Sequence, residues 1–283
     1  MSASDTTTAP AGRGADRPGR RVRPRSRLGD RLLKVYVWVI IAWLFLPIAV
    51  MVVFGFNDTR SKSNVNWQGF TLKWWTRLGD YPELTAAVGN SLRIALLATL
   101  ITTVIGTLMG LALGRYRFRG QGATNLVIFA AIASPELVMG ASLLSLFIST
   151  GVETGFATVV IAHVLFSLSF VAITVRARVI GLDRSVEEAA RDLGASTWTT
   201  FWRVTFPMIL PGVVSGALLA FALSIDDFVI TQFTSGSLQT FPLWIWGATR
   251  MGIPPQVNIL GTLIFAIGVA VAVVNTLTAR RRT

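Results

Sequence analysis

Six apolar runs constrain the fold of this chain more than any other feature of its sequence. Each contains at least the roughly 20 residues that a helix needs to cross the hydrocarbon core of a bilayer. Only 14% of all residues are charged, against about 25% in soluble domains. The sequence therefore predicts an all-α membrane protein with six transmembrane helices. The runs cover residues 35–56, 89–114, 124–148, 155–175, 208–233 and 257–277.

Positive charges are distributed unevenly between the segments that flank these runs. Of the 26 Lys and Arg residues, 20 lie in segments 1–34, 115–122, 176–207 and the tail after residue 277. The alternate segments hold five. Because cytoplasmic loops carry the excess of Lys and Arg, both termini are expected in the cytoplasm. We therefore predict a multi-pass protein of the plasma (inner) membrane.

Residues 1–30 differ from the rest of the chain. They contain prolines among Arg, Ser, Thr and Gly, and such a segment cannot bury enough apolar surface to fold. We predict a disordered basic cytoplasmic tail at 1–30 and a six-span transmembrane domain at 31–283. Because the positive charges flank membrane spans, we expect lipid and not nucleic acid as the partner of this charge.

The sequence lacks the residues that common metal and redox chemistries require. It contains no Cys and a single His, His163, which excludes thiolate sites and the common zinc motifs. No pair of a nucleophile and a base is evident. We expect neither a metal nor a cofactor nor an enzymatic activity, and we expect His163 to be a packing residue held by hydrogen bonds.

The segment 176–207 is predicted to be a compact helical insert on the cytoplasmic side. Ser185 and Glu188 have the spacing of a capping box, which predicts a helix beginning there. Gly194 fits the left-handed position that ends a helix, and Ser196 or Thr197 can cap a second helix with an aromatic face. Glu188 could therefore serve only as a cap, or it could also contact another protein.

Five residues in this insert carry the strongest resemblance to a known family. They fit the pattern E-A-A, three residues, G, followed thirteen positions after the glycine by P, although two other positions of the family's I-x-L-P ending hold Val and Phe. The insert resembles that of the integral-membrane permeases of binding-protein-dependent ABC importers. The resemblance implies a type I permease fold in which the insert is a coupling helix that docks into a cytosolic ATPase. The matching residues are Glu188, Ala189, Ala190, Gly194 and Pro207.

The resemblance also implies partners. No G-x-x-x-x-G-K-[ST] motif occurs in the chain, so ATP hydrolysis would take place on a separate ATPase dimer. A second permease subunit, favoured as a paralogue, and an extracytoplasmic substrate-binding protein would complete the importer. Residues 69–75, 224–231, 240–243 and 250–258 look like the second permease of the spermidine/putrescine branch. The implied function is polyamine import by alternating access; another small solute and a secondary transporter are the alternatives.

Three acidic residues lie inside predicted spans, where ionisable groups are costly and mark a pathway or a pair. Glu136 follows a Ser-Pro break in the third run, and Asp226 and Asp227 are adjacent in the fifth. Neighbouring helix residues point about 100° apart, so the two aspartates cannot face the same way. We predict a substrate pathway for cations at these carboxylates. An ion pair with Arg93 is the alternative.

The second run carries glycines at a four-residue spacing, Gly106, Gly110 and Gly114. This spacing places all three on one helix face. Small residues on one face allow a neighbouring membrane helix to approach closely. We therefore expect another span to pack against them.

Overall fold

The structure is a computed structural model that describes residues 27–61 and 63–280. Most of the predicted tail lies outside these residues, although the first helix, α1, begins within its last four positions, at Arg27. The chain divides into two compact units, Met1–Val50 and Met51–Thr283. Helix α1 (Arg27–Phe54) forms the described part of the first unit and continues into the second.

Helices account for nearly all of the described part of the second unit. The α-helices are accompanied by a π-helical turn at Phe201–Thr205 and a 3₁₀ turn at Leu78–Asp80. The all-α fold predicted from the sequence is confirmed. The helices are α2 (Lys73–Thr76), α3 (Pro82–Arg115), α4 (Gln121–Ala133), α5 (Glu136–Ser149), α6 (Phe156–Ile180), α7 (Ser185–Asp192), α8 (Thr197–Thr200), α9 (Phe206–Ile225), α10 (Val229–Thr234), α11 (Phe241–Met251) and α12 (Pro255–Arg280).

The predicted spans correspond to the longest helices, with two breaks. Four helical stretches are long and apolar enough to cross a membrane, and α4 and α5 form a fifth if this pair, bent by 106°, counts as one span. In α12 the apolar stretch covers Pro255–Ala270 within the described residues. The count of six spans stays a prediction. The fifth predicted run, 208–233, is not one helix, because α9 ends at Ile225 and α10 begins at Val229.

The core of the second unit is formed where α3, α6 and α9 pack together. Gly106, Gly110 and Gly114 of α3 each lie directly against α6, as the four-residue spacing predicts. A Cβ atom at Gly110 would lie 2.8 Å from the carbonyl oxygen of Ala172 and 2.8 Å from the Cβ of Val175. These helices therefore touch backbone to backbone. Interiors packed this closely have low compressibility and transmit strain.

Candidate functional site

The insert between α6 and α9 contains four of the five motif residues, and the fifth, Pro207, is the second residue of α9. The first helix of the insert, α7, begins where the sequence predicts. The predicted capping box is wrong, however, because the N-cap position is Arg184 and no side chain caps it there. Asp183 instead accepts a hydrogen bond from the backbone N–H of Ser185 at 3.0 Å. This backbone bond, together with a bond from the Ser185 hydroxyl, lowers the pKa of the exposed Asp183 carboxyl below its ordinary value. Glu188 is therefore free of the capping role.

The end of α7 has the geometry that the glycine predicts. Gly194 has φ +84°, and its N–H donates to the carbonyl of Arg191 at 2.8 Å. The next N–H, of Ala195, reaches back to the carbonyl of Ala190 at 3.1 Å, which completes a Schellman motif. Ser196 then caps α8 by accepting from the N–H of Thr199 at 3.2 Å, as predicted. This turn fixes the angle between α7 and the aromatic segment that follows.

An exposed apolar surface covers this turn, and we name it the coupling face. Leu193 at the tip is 89% exposed and Trp198 is 72% exposed. Trp198 stacks edge-on against Trp202, with ring centroids 5.6 Å apart. Large exposed apolar residues that are adjacent on a surface mark interaction sites. The coupling face consists of Val186, Leu193, Trp198 and Trp202.

The five motif residues lie in the same stretch of chain as this face and are mostly exposed. Glu188, Ala189, Gly194 and Pro207 are exposed and Ala190 is half-buried. Glu188 also borders a cavity of about 260 Å³ that Arg115, Arg184 and Arg191 line. The insert thus presents several apolar side chains outward, together with the carboxylates of Asp183, Glu188 and Asp192.

A residue that the sequence analysis did not single out holds the insert in place. The carboxylate of Glu187 accepts a hydrogen bond from the guanidinium of Arg115, the last residue of α3, and forms an ion pair with it. The same oxygen accepts from the hydroxyl of Thr205 at 2.6 Å. Arg115 lies 72 positions away in sequence, so no local pattern could reveal the pair.

The second group of candidate residues lies where two helices break. The break between α4 and α5 falls at Ser134 and Pro135, and Glu136 begins α5 with an exposed side chain. Helix α5 packs on α10 so closely that a Cβ at Gly140 would lie 2.7 Å from the ring of Phe233. A Cβ at Gly140 would also lie 3.4 Å from the Cα of Ile230, so this packing places the start of α5, with Glu136, beside the start of α10 and the break that holds Asp226 and Asp227.

Asp227 is buried within a hydrogen-bonded network between α6 and α10. Its carboxylate accepts from the N–H of Thr231 at 2.8 Å and from the hydroxyl of Thr231 at 2.7 Å. It also lies 3.3 Å from Nε2 of His163. The other ring nitrogen of His163 lies 2.7 Å from the hydroxyl of Ser224. His163 is therefore the hydrogen-bonded packing residue that the sequence predicts.

The alternative ion pair with Arg93 is not present. Arg93 is exposed, and the one ion pair between Arg or Lys and a carboxylate found among residues 27–61 and 63–280 is Arg115–Glu187. The same residues contain no group of three or more His, Cys, Asp or Glu that could hold a metal ion.

Asp226 lies outside this network, at the break that follows the end of α9 at Ile225. Its side chain is exposed, and it forms no ion pair with any residue that the structure describes. It lines a cavity of about 350 Å³, together with the rings of Phe228, Phe241 and Trp246. The rings of Phe228 and Trp246 lie 5.3 Å apart. A carboxylate beside aromatic faces is an arrangement suited to an organic cation.

A family comparison decides what kind of protein this is. Residues 103–280 match the family described as binding-protein-dependent transport system inner membrane component. The chain belongs to this family. As one of these inner membrane components it is a transport subunit and not an enzyme, and it is a multi-pass protein of the inner membrane.

Several curated relatives of this inner membrane component cover nearly the whole chain. The spermidine/putrescine transport system permease protein PotC of Haemophilus influenzae is 38% identical over 251 residues, which cover 88% of this chain and 97% of the relative. PotC of Escherichia coli K12 is 37% identical, covering 90% and 97%. The putrescine transport system permease protein PotI of the same strain is 38% identical, covering 80% and 83%.

Solved structures of ABC transporters share the fold. A chain of a bacterial transporter involved in the import of the acidic polysaccharide alginate aligns with a TM-score of 0.65 at 15% identity, covering 91% of this chain and 97% of that one. A chain of the methionine transporter MetNI, in an inward-facing conformation, aligns with a TM-score of 0.56 at 17% identity, covering 71% and 96%. The inner membrane component therefore has the type I importer permease fold.

Proposed function

We propose that this inner membrane component is one of two permease subunits of an ATP-driven importer that moves polyamines such as spermidine and putrescine into the cytoplasm. The cargo is supported by the names of the PotC and PotI relatives, which align over 80% or more of the chain. The observation that carries it in the structure is the pair of exposed carboxylates, Glu136 and Asp226, at adjoining helix breaks.

The chemistry of these carboxylates fits a polyamine. An extended chain with several ammonium groups needs negative charges at intervals, and it gains from aromatic faces that flank its methylenes. Glu136 supplies one charge, while Asp226 supplies a second beside Phe228 and Trp246. Asp227 has a structural role instead. Its hydrogen bonds to Thr231 hold the start of α10 and direct its neighbour Asp226 outward.

The coupling face supports the proposal of an ATPase partner. We propose that Leu193, Trp198 and Trp202 seat in a cleft of a cytosolic ABC ATPase dimer, with Glu188 and Gly194 fixing the contact. A second permease, a paralogue of this chain, would form the other half of the pathway, and an extracytoplasmic binding protein would deliver the cargo. Closure of the ATPase dimer on ATP would draw the two coupling faces together and open the cavity between the permeases outward.

Neutral variants of the exposed carboxylates test the cargo. In the complete transporter reconstituted into proteoliposomes, we expect Asp226→Asn and Glu136→Gln each to lower the apparent affinity for spermidine about tenfold. A hydrogen bond to a charged group contributes about 1.5–3 kcal/mol, which exceeds the 1.4 kcal/mol of a tenfold change. Protein level should stay normal. The measurement is the concentration dependence of radiolabelled spermidine uptake, with and without ATP.

Two controls give this test its direction. Asp80→Asn removes an exposed acid outside the membrane helices and should leave uptake unchanged. Asp227→Asn disturbs the buried network with His163 and should lower the amount of folded protein. Uptake that is unchanged in Asp226→Asn, in Glu136→Gln and in the double variant would remove these carboxylates from the pathway. Uptake independent of ATP would favour a secondary transporter.

We further propose that both termini and the coupling face lie in the cytoplasm, on the basis of the charge asymmetry. Since the chain contains no Cys, single cysteines report on sidedness without background. We expect Ser237→Cys, in the exposed turn after α10, to react with an impermeant maleimide in intact cells. Asp192→Cys at the end of α7 should react only after permeabilisation. Labelling of position 192 from outside would contradict this topology.

A further inference from the structure

Helix α7 cannot be held in place by apolar burial. All eight of its residues are at least partly exposed. Isolated helices shorter than about 12 residues are marginal in water. The contacts that order α7 must therefore be polar contacts to the rest of the insert and to the spans.

Glu187 makes the polar contacts that connect α7 to two spans at once. Its carboxylate binds the guanidinium of Arg115 at the end of α3 and the hydroxyl of Thr205 in the π-helical turn that leads into α9. Both members of the ion pair have side chains that are only 14% exposed, and Thr205 is buried. Water therefore competes weakly for these bonds.

A second bond fixes the position of Arg115. The guanidinium of Arg184, at the start of α7, donates to the backbone carbonyl of Arg115 at 3.1 Å. The end of α3 thus donates to α7 through its side chain and accepts from α7 through its backbone. Two bonds of opposite sense therefore join the end of α3 to the start of α7.

Both attachment points lead into the packed core. Helix α3 lies against α6 through its glycine face, and α9 lies against α6 where a Cβ at Gly216 would be 3.1 Å from Val171. A displacement of α7 that reaches the end of α3 and the start of α9 is therefore carried into the three-helix block, because close-packed interiors transmit strain. The π-helical turn places the buried hydroxyl of Thr205 2.6 Å from the carboxylate of Glu187.

We propose that Glu187 is the positioning residue that converts motion of the coupling helix into motion of the spans, a role that rests on the proposed ATP-driven import. Glu187 and Glu188 then have different roles. Glu188 is exposed and faces the partner protein, whereas Glu187 holds α7 to Arg115 and Thr205. Without Glu187 the ATPase would still dock on the coupling face and hydrolyse ATP. The resulting movement of α7 would not reach the spans.

The first arm of the test measures whether the bonds of Glu187 to Arg115 and Thr205 hold α7 in place, which we call the tie. It does not depend on cargo. A spin label at Asp192→Cys in the full-length, otherwise cysteine-free permease reports the mobility of α7 by electron paramagnetic resonance. We expect Glu187→Gln and Thr205→Val to increase label mobility, and Thr205→Ser, which keeps the hydroxyl, to match the unsubstituted chain. Unchanged mobility in both Glu187→Gln and Thr205→Val would overturn the tie.

The second arm measures transmission in the complete transporter in proteoliposomes. We expect Glu187→Gln and Thr205→Val to raise the ATP hydrolysed per spermidine taken up at least threefold, with the ATPase still co-purifying. A mobile α7 with an unchanged ratio, or loss of the ATPase from the complex, would overturn the transmitting role and leave a purely structural one. If the unsubstituted transporter takes up no spermidine, the proposed function fails, while the label mobility still decides whether the tie exists.

Discussion

Substitution of Gly110 by Val is expected to abolish accumulation of the folded protein. The first atom of any side chain at this position would lie 2.8 Å from the carbonyl oxygen of Ala172 and 2.8 Å from the Cβ of Val175. Neither atom belongs to the flexible end of a side chain, so neither can move aside cheaply. Overpacking of a core costs about 1–3 kcal/mol, occasionally more, and here α3 and α6 themselves would have to separate.

A glycine in the same helix provides the matched control. A Cβ at Gly89 of α3 meets nothing within 4 Å, and Val is at least as favourable as Gly in a helix. We expect Gly89→Val to accumulate and purify like the unsubstituted chain, and Gly110→Val to be recovered as aggregate or not at all. The measurement is the monodisperse fraction in detergent by size-exclusion chromatography. Equal recovery of both variants would contradict the backbone contact between α3 and α6.

The parts of this fold that the sequence predicts are those governed by local or one-dimensional patterns. Apolar length indicated the long helices, four of which are long and apolar enough to cross a membrane, because the bilayer sets a minimum helix length. The glycine spacing indicated a close helix contact, and the structure identifies α6 as the neighbour. Gly194 and Ser196 were predicted correctly because a left-handed turn and an N-cap depend on one or two residues.

The parts that the sequence does not predict depend on residues that are far apart along the chain. Asp227 could have paired with Arg93, and only the packing of α6 on α9 and α10 shows that its partner is His163, 64 positions away by number. Glu187 lies beside the motif but matches none of its positions, and its partner Arg115 lies in another span. The capping box failed for a different reason, since Asp183 accepts the backbone N–H of Ser185 that the Glu188 side chain would have accepted.

The break between α9 and α10 was missed because the run 208–233 is apolar on both sides of its two aspartates. Hydropathy reports how much of a segment suits the membrane and does not report whether its helix continues. Here the Asp227 carboxylate accepts backbone hydrogen bonds at the start of α10 and so replaces the carbonyl partners of a continuous helix. Because the helix stops here, Asp226 is left exposed at the end of α9. The break and the candidate pathway therefore lie at the same place.

Substitution of Gly194 by Val is expected to abolish uptake while leaving the spans intact. The backbone at Gly194 has φ +84°, a conformation that costs an ordinary L-residue about 1–2 kcal/mol and a β-branched one more. A Cβ there meets nothing within 4 Å, so the backbone conformation alone opposes the change. Relief of the strain would break the bonds from Gly194 to Arg191 and from Ala195 to Ala190 and would turn α7 away from Trp198.

Asparagine separates the backbone effect from the loss of glycine. Asn occupies the left-handed region more readily than other non-glycine residues, so Gly194→Asn should retain most of the uptake and Gly194→Val should retain little. The decisive measurement is co-purification of the ATPase with each variant, together with spermidine uptake, at equal membrane levels. If Val and Asn behave alike, the positive φ is not what orients the coupling face. If Val alone loses both the ATPase and uptake while Gly89→Val keeps both, the turn at Gly194 is what presents Leu193 and Trp198 to the motor.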